Sequence, residues 1–245
     1  MNRPVADTAA WLATARAEAP KHEAADAGLA AIGSAFFTDR ARFFDTVLTE
    51  WAVAGHRQVV VLGAGYDQRA FRLDLPDDLL LIEVDLPEVL AEKGRRIGDA
   101  LPRCRRSTVA ADVVADGLDA LDDTRLDFAR PILWIAEGLL YYLTPDEVRT
   151  LLHQVGARST QGSILALDHV ATAGTRLPEV RRWLRFMADR GSPWRSAVAD
   201  PAAWLRPHGW ILTDRSTGVG RPEDDDDVVT WLLEAHRQAE EERSR

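Results

Sequence analysis

Five short apolar runs, separated by stretches with helical spacing, dominate the chain after Gly55. They read QVVVLG, LLLIEVD, STVAADV, PILWIAEG and SILALDHV. Near-continuous apolar strands that alternate with helices are typical of a parallel sheet covered by helices on both faces. The alternation therefore predicts an α/β fold with a doubly wound, mostly parallel sheet.

The flanking segments are assigned from their periodicity. Residues 5–54 are predicted to be helical. Residues 1–54 are predicted to form a helical lid, of which 1–50 are mobile, and residues 55–245 the core of one domain, 1–245. The aromatic and aliphatic residues of this lid that recur at helical spacing are Phe36, Phe37, Phe43, Phe44, Val47, Leu48 and Trp51. A sixth strand is predicted at residues 209–216, and residues 144–147 predict a helix that starts with a capping box. The apolar spacing after the acidic run 224–227 favours a final helix over a last antiparallel strand.

Composition narrows the ligand class and the compartment. The formal net charge of -9 disfavours nucleic acid as a partner. No apolar run approaches the roughly 18 residues of a membrane span, and the first residues lack the order of a secretion signal. Cys104 is the single cysteine and has no Cys/His set at metal spacing. We expect a cytoplasmic protein with a small-molecule partner, no membrane and no metal, and leave a homodimer open.

The first strand ends in a glycine turn. Ligands of open parallel sheets bind beyond the carboxyl ends of the strands, where the strand order reverses. Gly63 and Gly65 permit a sharp turn and a close approach of the backbone to a ligand. A tight connection without a ligand would use the same residues, so the turn by itself is a weak signal.

An acidic second strand adds a more specific signal. Glu83 and Asp85 end this strand about twenty residues after the glycines, where a carboxylate binds ribose hydroxyls. Gln68 stands where a dinucleotide site needs a third small residue, and Asp67 would repel a pyrophosphate. The sulfonium and amino groups of S-adenosylmethionine are positive and suit this acidic rim. The sequence thus favours S-adenosylmethionine over NAD.

Four linked motifs resemble those of the leucine carboxyl methyltransferase family, which includes bacterial polyketide carboxyl and other O-methyltransferases. They are VVVLGAGYDQRAFRL, IEVDLPEVLAEK, AADV and WIAEGLLYYLTPDEV, in that order within residues 35–170. The resemblance implies a Rossmann-like class I methyltransferase that uses S-adenosyl-L-methionine. Gln68 departs from the threonine that many members carry after the glycines.

The resemblance also implies a set of cofactor-binding residues. Asp85 would hold the ribose hydroxyls, Asp112 the adenine amine and Glu137 the methionine amino group, while Arg40 would reach the methionine carboxylate. The complete set is Arg40, Gly63, Ala64, Gly65, Asp85, Leu86, Asp112, Val113 and Glu137. Arg42 is an alternative to Arg40 as the arginine that reaches the methionine carboxylate. Arg40 could also be a solvated helix residue, and Asp112 could cap the next turn instead of binding adenine.

The candidates for catalysis are His169, Tyr141 and Arg69. A carboxylate acceptor is ionised at neutral pH and needs only an orienting cation, such as Arg69 or Arg72, although both arginines could instead pair with aspartates 74, 77 and 78. A phenol needs a base, for which His169 after the fifth strand is the candidate. Of Tyr141 and Tyr142, one is expected in the core.

The function expected from this resemblance is O-methylation of a small carboxylate of natural-product type. Methylation of a phenol or hydroxyl is the second hypothesis, and a non-catalytic S-adenosylmethionine-binding regulatory module is the third. An NAD-dependent oxidoreductase is disfavoured by Gln68 and by the absence of a Tyr-x-x-x-Lys pair.

Overall fold

A seven-stranded sheet forms the centre of the computed structural model, which describes residues 24–217 and 228–238. Its strands are β1 (Gln58–Leu62), β2 (Leu80–Asp85), β3 (Arg105–Ala110), β4 (Leu133–Ala136), β5 (Ile164–Val170), β6 (Trp210–Thr217) and β7 (Thr230–Arg237). The order across the sheet is β3-β2-β1-β4-β5-β7-β6. Strands β1 to β5 pair in parallel, whereas β7 runs antiparallel to both β5 and β6. The predicted Rossmann-like α/β fold and the sixth strand are confirmed.

Helices connect the strands within the described residues. They are α1 (Ala24–Val53), α2 (Arg69–Arg72), α3 (Pro87–Ile97), α4 (Pro145–Ala157), α5 (Pro178–Asp189) and α6 (Pro201–Leu205). The predicted capping box begins α4: the Thr144 hydroxyl accepts from the Glu147 amide, and the Glu147 carboxylate accepts from the Thr144 amide at 2.7 Å. No helix among residues 24–217 and 228–238 is long and apolar enough to cross a membrane.

The strand order reverses at β1. This strand lies between β2 and β4, so that the chain moves to one side of the sheet through β3 and then to the other side through β5. Side chains and loops beyond the carboxyl ends of β1 and β4 therefore face a crevice in which open α/β sheets bind ligands. The topology places the glycine turn at the edge of this crevice.

The second half of α1 is part of the core. Phe44, Leu48 and Trp51 are at most 3% exposed and pack against one face of the sheet. The Trp51 indole also donates to the Gln58 carbonyl at 3.1 Å, which ties the helix to β1. This portion of the predicted lid is thus a packed layer of the fold, while residues 5–23 and the Phe36 side chain lie outside the described part of the chain.

The predicted final helix is wrong, because residues 230–237 form β7. Trp231, Leu232 and Leu233 are consecutive and all buried. A strand between two others, with both faces covered, buries successive residues, and a short apolar run of this kind cannot be told from a helix by periodicity. The acidic run 224–227, predicted to cap that helix, lies outside the described residues.

Candidate functional site

The turn after β1 leaves open space above Gly65. Gly63 and Gly65 have φ values of 60° and 46°, in the left-handed region that favours glycine. A Cβ on Gly63 would lie 2.9 Å from Leu139 Cδ1, so a side chain there would require Leu139 to shift. A Cβ on Gly65 would meet nothing nearer than the Gly63 carbonyl oxygen at 3.9 Å. A ligand can therefore approach the backbone at Gly65, while the Ala64 amide binds the Val84 carbonyl of β2.

Asp85, at the end of β2, is bound to this turn. Its Oδ2 accepts from the Gly65 amide at 2.6 Å, and its Oδ1 accepts from the Leu86 amide at 2.7 Å. Burial raises the pKa of Asp85, and these two hydrogen bonds oppose the rise. Each carboxylate oxygen has a further lone pair, so the group can also accept from ligand hydroxyls. The geometry fits the ribose role implied for Asp85.

Asp112 and Val113 follow β3. Asp112 Oδ1 accepts from the amides of Val114 and Ala115 at 2.9 and 3.2 Å, which is the turn-capping arrangement. Val113 is buried in the larger apolar core, together with residues of β1, β2 and β4. The capping role of Asp112 is thus observed, and its implied role at adenine stays a prediction.

Arg40 of α1 lies at the centre of a buried polar cluster. Its Nε is 3.0 Å from Glu137 Oε1, and its Nη1 is 3.3 Å from Asp168 Oδ2 and 3.1 Å from the Tyr141 hydroxyl. Arg40 is 3% exposed, whereas the side chain of Arg42 is 73% exposed and pairs with Asp39. The structure therefore brings Arg40, and not Arg42, to Glu137.

Asp168 is a member of this cluster that the sequence analysis missed. It is fully buried, and its Oδ1 accepts from the Gly138 amide at 2.6 Å. The sequence did offer a signal, since Asp168 lies next to His169 at the carboxyl end of a predicted strand. Successive residues of a strand point to opposite faces, so only one of the two could face the cluster. Asp168 extends the cluster from β4 to β5.

Arg69 joins the same cluster from α2. It is 4% exposed, and its guanidinium pairs with Asp45 of α1 at 2.8 Å, with Asp67 of the glycine turn, and with Glu137 at 2.7 Å. The neighbouring Arg72 also pairs with Asp45, at 2.6 Å. The predicted pairing of these arginines with aspartates 74, 77 and 78 is wrong, because the chain folds α1 against α2.

Tyr141 belongs to this cluster through its contact with Arg40, and the ring of His169 lies 6.5 Å from the ring of Tyr141. Tyr141 is 2% exposed, which confirms that one of the two tyrosines is in the core. His169 is 1% exposed, its Nε2 lies 3.3 Å from Ser196 Oγ, and burial lowers its pKa to about 4. Neither side chain reaches the surface of the crevice directly, and the imidazole is neutral at pH 7.

A cavity of about 190 Å³ lies beyond the end of β5. Val170, Leu184 and Trp194 form apolar walls, and Arg195 and Ser196 supply polar groups. The Trp194 ring is 4.4 Å from the ring of Tyr141, whose hydroxyl contacts Arg40. Tyr141 therefore contacts both a wall of the cavity and the buried cluster.

The charges at the crevice favour a cationic ligand. Three guanidiniums, of Arg40, Arg69 and Arg72, meet four carboxylates, of Asp45, Asp67, Glu137 and Asp168. Asp85 adds a further carboxylate at the glycine turn. The excess negative charge attracts a sulfonium or an ammonium group. Within residues 24–217 and 228–238, no group of three or more His, Cys, Asp or Glu side chains is arranged to hold a metal ion.

Comparison with known proteins gives one family. The model of the leucine carboxyl methyltransferase family matches residues 3–156. A relative from Parafrankia sp. (strain EAN1pec) is 40% identical over 74% of this chain and 60% of its own length. A relative from Frankia alni is 43% identical over 75% of this chain and 66% of its own length. Both are provisionally named S-adenosyl-L-methionine-dependent methyltransferases, and the chain spans less than two thirds of the length of each.

A solved structure from Thermobifida fusca, provisionally assigned as a methyltransferase, has a similar fold. The TM-score is 0.65 with 18% sequence identity, and the match covers 96% of this chain and 94% of that one. At this identity the likeness concerns the fold alone.

Proposed function

Because this chain belongs to the leucine carboxyl methyltransferase family, we propose that it is an S-adenosylmethionine-dependent methyltransferase with its cofactor in the crevice beyond β1 and β4. The main support is the joint placement of the open Gly65 backbone, the Asp85 carboxylate and the acidic cluster around Glu137. These three features would meet the ribose and the cationic end of the cofactor. The bound cofactor supplies an electrophilic methyl group on sulfur.

The roles proposed for the residues follow from their positions. Asp85 accepts from the ribose hydroxyls, and Glu137 accepts from the methionine amino group. Arg40 donates to the methionine carboxylate from the same cluster. Asp112 binds the adenine amine from the turn after β3. The protein's remaining task is to hold the acceptor oxygen in line with the methyl carbon and sulfur.

We propose a small carboxylic acid with an apolar body as the acceptor, in natural-product chemistry of the cytoplasm. The cavity beyond β5 has apolar walls, and the guanidinium of Arg195 lies among its lining residues. Arg195 is half-exposed and pairs with Glu147 at 3.2 Å, so it can turn to an acceptor carboxylate. A carboxylate is ionised at pH 7 and attacks without a base.

A hydroxyl acceptor is the second candidate. The Ser196 hydroxyl lines the cavity, donates to the Leu140 carbonyl at 3.1 Å and lies 3.3 Å from His169 Nε2. A proton could pass from an acceptor through Ser196 to the imidazole if the hydroxyl turned from Leu140 to His169. A histidine with a pKa of about 4 is a weak base toward a phenol of pKa near 10. The buried position of His169 therefore favours the carboxylate hypothesis.

The first experiment is calorimetry of the protein with S-adenosylmethionine and with NAD. We expect micromolar binding of S-adenosylmethionine and none of NAD; the opposite result would reject the proposal. Transfer is then measured with methyl-labelled cofactor and a panel of compact aryl and alkyl carboxylic acids and matched phenols. Methyl esters whose rate of formation is flat from about pH 6 to 9 support the carboxylate hypothesis, whereas phenol ethers with a rate that depends on His169 refute it. Cofactor binding without transfer to any acceptor would favour a regulatory module.

Arg195→Gln tests the acceptor site, with Arg149→Gln as the matched control. Arg149 is an exposed arginine that pairs with Asp146 on α4 and is not among the residues that line the cavity. We expect Arg195→Gln to raise KM for the acid by about 10- to 100-fold, because a charge-assisted pair is lost, and to leave cofactor affinity unchanged. Equal KM values in the two variants would exclude Arg195 from the site.

A further inference from the structure

Arg69 links the three elements that meet at the methionine end of the proposed cofactor site. Its Nε contacts Asp45 of α1 at 2.8 Å, its Nη1 contacts Asp67 of the glycine turn, and its Nη2 contacts Glu137 after β4 at 2.7 Å. The backbone amide of Arg69 also donates to Asp67 Oδ1 at 2.6 Å. One planar guanidinium thus joins a helix and two loops that are distant in sequence.

The Glu137 carboxylate is held at both oxygens by this arrangement. Arg40 Nε donates to Oε1 at 3.0 Å, and Arg69 Nη2 pairs with Oε2 at 2.7 Å. Two donors from different elements fix both the position and the plane of the carboxylate. A ligand amino group that binds Glu137 therefore finds its partner already oriented.

Arg69 remains charged in this buried place. Burial alone would lower the pKa of Arg69, but attraction to Asp67, Glu137 and Asp45 outweighs it, and the net effect is a raised pKa. Loss of the guanidinium would leave three carboxylates close together with less compensation. Repulsion among them would move Glu137 and the glycine turn.

We propose that Arg69 is a positioning residue for the cofactor's amino-acid end, which acts by fixing Glu137 and by tying α1 to the glycine turn. It is therefore not the cation that orients the acceptor, since its three donor positions face Asp45, Asp67 and Glu137. The inference rests on the proposed function, because it takes Glu137 as the partner of the methionine amino group.

Two ligands separate this role from a general structural one. S-adenosylhomocysteine carries the amino-acid end, and 5′-methylthioadenosine shares its adenosine and sulfur but lacks that end. Arg69→Gln is expected to weaken binding of S-adenosylhomocysteine by about 10- to 100-fold, measured by calorimetry, and to change binding of 5′-methylthioadenosine less than about 3-fold.

Arg149→Gln is the matched control. Arg149 is 64% exposed and pairs with Asp146 on α4, outside the cluster around Glu137. This variant removes the same charge and should leave both affinities within about 3-fold of the wild type. Arg69→Lys keeps the charge but lacks the planar guanidinium, and it should recover part of the affinity for S-adenosylhomocysteine that Arg69→Gln loses.

The outcomes are distinct. If Arg69→Gln loses affinity for both ligands to a similar extent, or loses affinity for neither, the positioning role is overturned. A Glu137→Gln background provides a second test, because there Arg69→Gln should cost less than about 3-fold further affinity. If Arg69→Gln does not fold, a selective loss for S-adenosylhomocysteine in Arg69→Lys supports the role, and wild-type affinity in that folded variant overturns it. Wild-type protein that binds neither ligand overturns the proposed function and this inference with it.

Discussion

His169 should make the protein less stable in mild acid, because the folded protein buries it as a neutral side chain. Its pKa is lowered from 6.5 to about 4 by burial. At a pH between these two pKa values the unfolded chain binds a proton that the folded protein does not, so the free energy of unfolding falls as the pH falls through this window. Each pH unit costs about 1.4 kcal/mol, which gives about 3 kcal/mol over the full window.

The assay is urea unfolding of the wild type and of His169→Asn at pH 7.5 and pH 5.0. Linkage predicts that the wild type loses about 2 kcal/mol of its free energy of unfolding between these conditions because of this one imidazole. The variant should lose correspondingly less. If His169→Asn loses as much stability as the wild type, the imidazole is not buried neutral and the reasoning fails.

Three further predictions concern the crevice and α1. Asp85→Asn should weaken S-adenosylmethionine binding by about 1–3 kcal/mol in calorimetry, because the ribose loses a charged acceptor. The affinity of the wild type should also fall on acidification at a pH above the ordinary aspartate pKa of 3.8, since the pKa of Asp85 is raised. Gly65→Ala places a methyl group in the open space at a φ of 46° and should lower cofactor affinity at least 10-fold while circular dichroism stays native; unchanged affinity would exclude Gly65 from the site. Phe44→Ala should cost about 3–5 kcal/mol in urea unfolding, because Phe44 is fully buried; a loss below 1 kcal/mol would show that α1 is a loose lid.

Much of the crevice beyond β1 and β4 could be predicted from local sequence. The apolar runs predicted the parallel strands, because a strand buried on both faces needs apolar residues at nearly every position. Gly63, Gly65 and Asp85 could be placed together, since the carboxyl ends of adjacent parallel strands meet at one edge. The observed hydrogen bond from Gly65 to Asp85 at 2.6 Å follows from that arrangement.

The end of the sheet was decided by tertiary structure. Residues 230–237 carry apolar side chains at spacings that suit either a helix or a strand buried on both faces. Pairing with β5 on one side and β6 on the other satisfies the backbone of this segment as a strand. Such pairing depends on residues far away in sequence, and no local signal contains it.

The partners of the charged residues were likewise decided only when the chain folded. Sequence alone determined that Arg69 and Glu137 occur in motifs that resemble those of a methyltransferase family. It also indicated that Arg40 matches a family arginine before the sheet and that Asp168 and His169 end a strand. Packing of α1 against the sheet brings Arg40 to Glu137 across 97 residues and to Asp168 across 128 residues. The alternation of β5 turns Asp168 toward this cluster and His169 toward the other face of the strand, where burial lowers the pKa of the imidazole. Ion pairing and desolvation depend on distances in space, so the roles of these side chains follow from the tertiary structure.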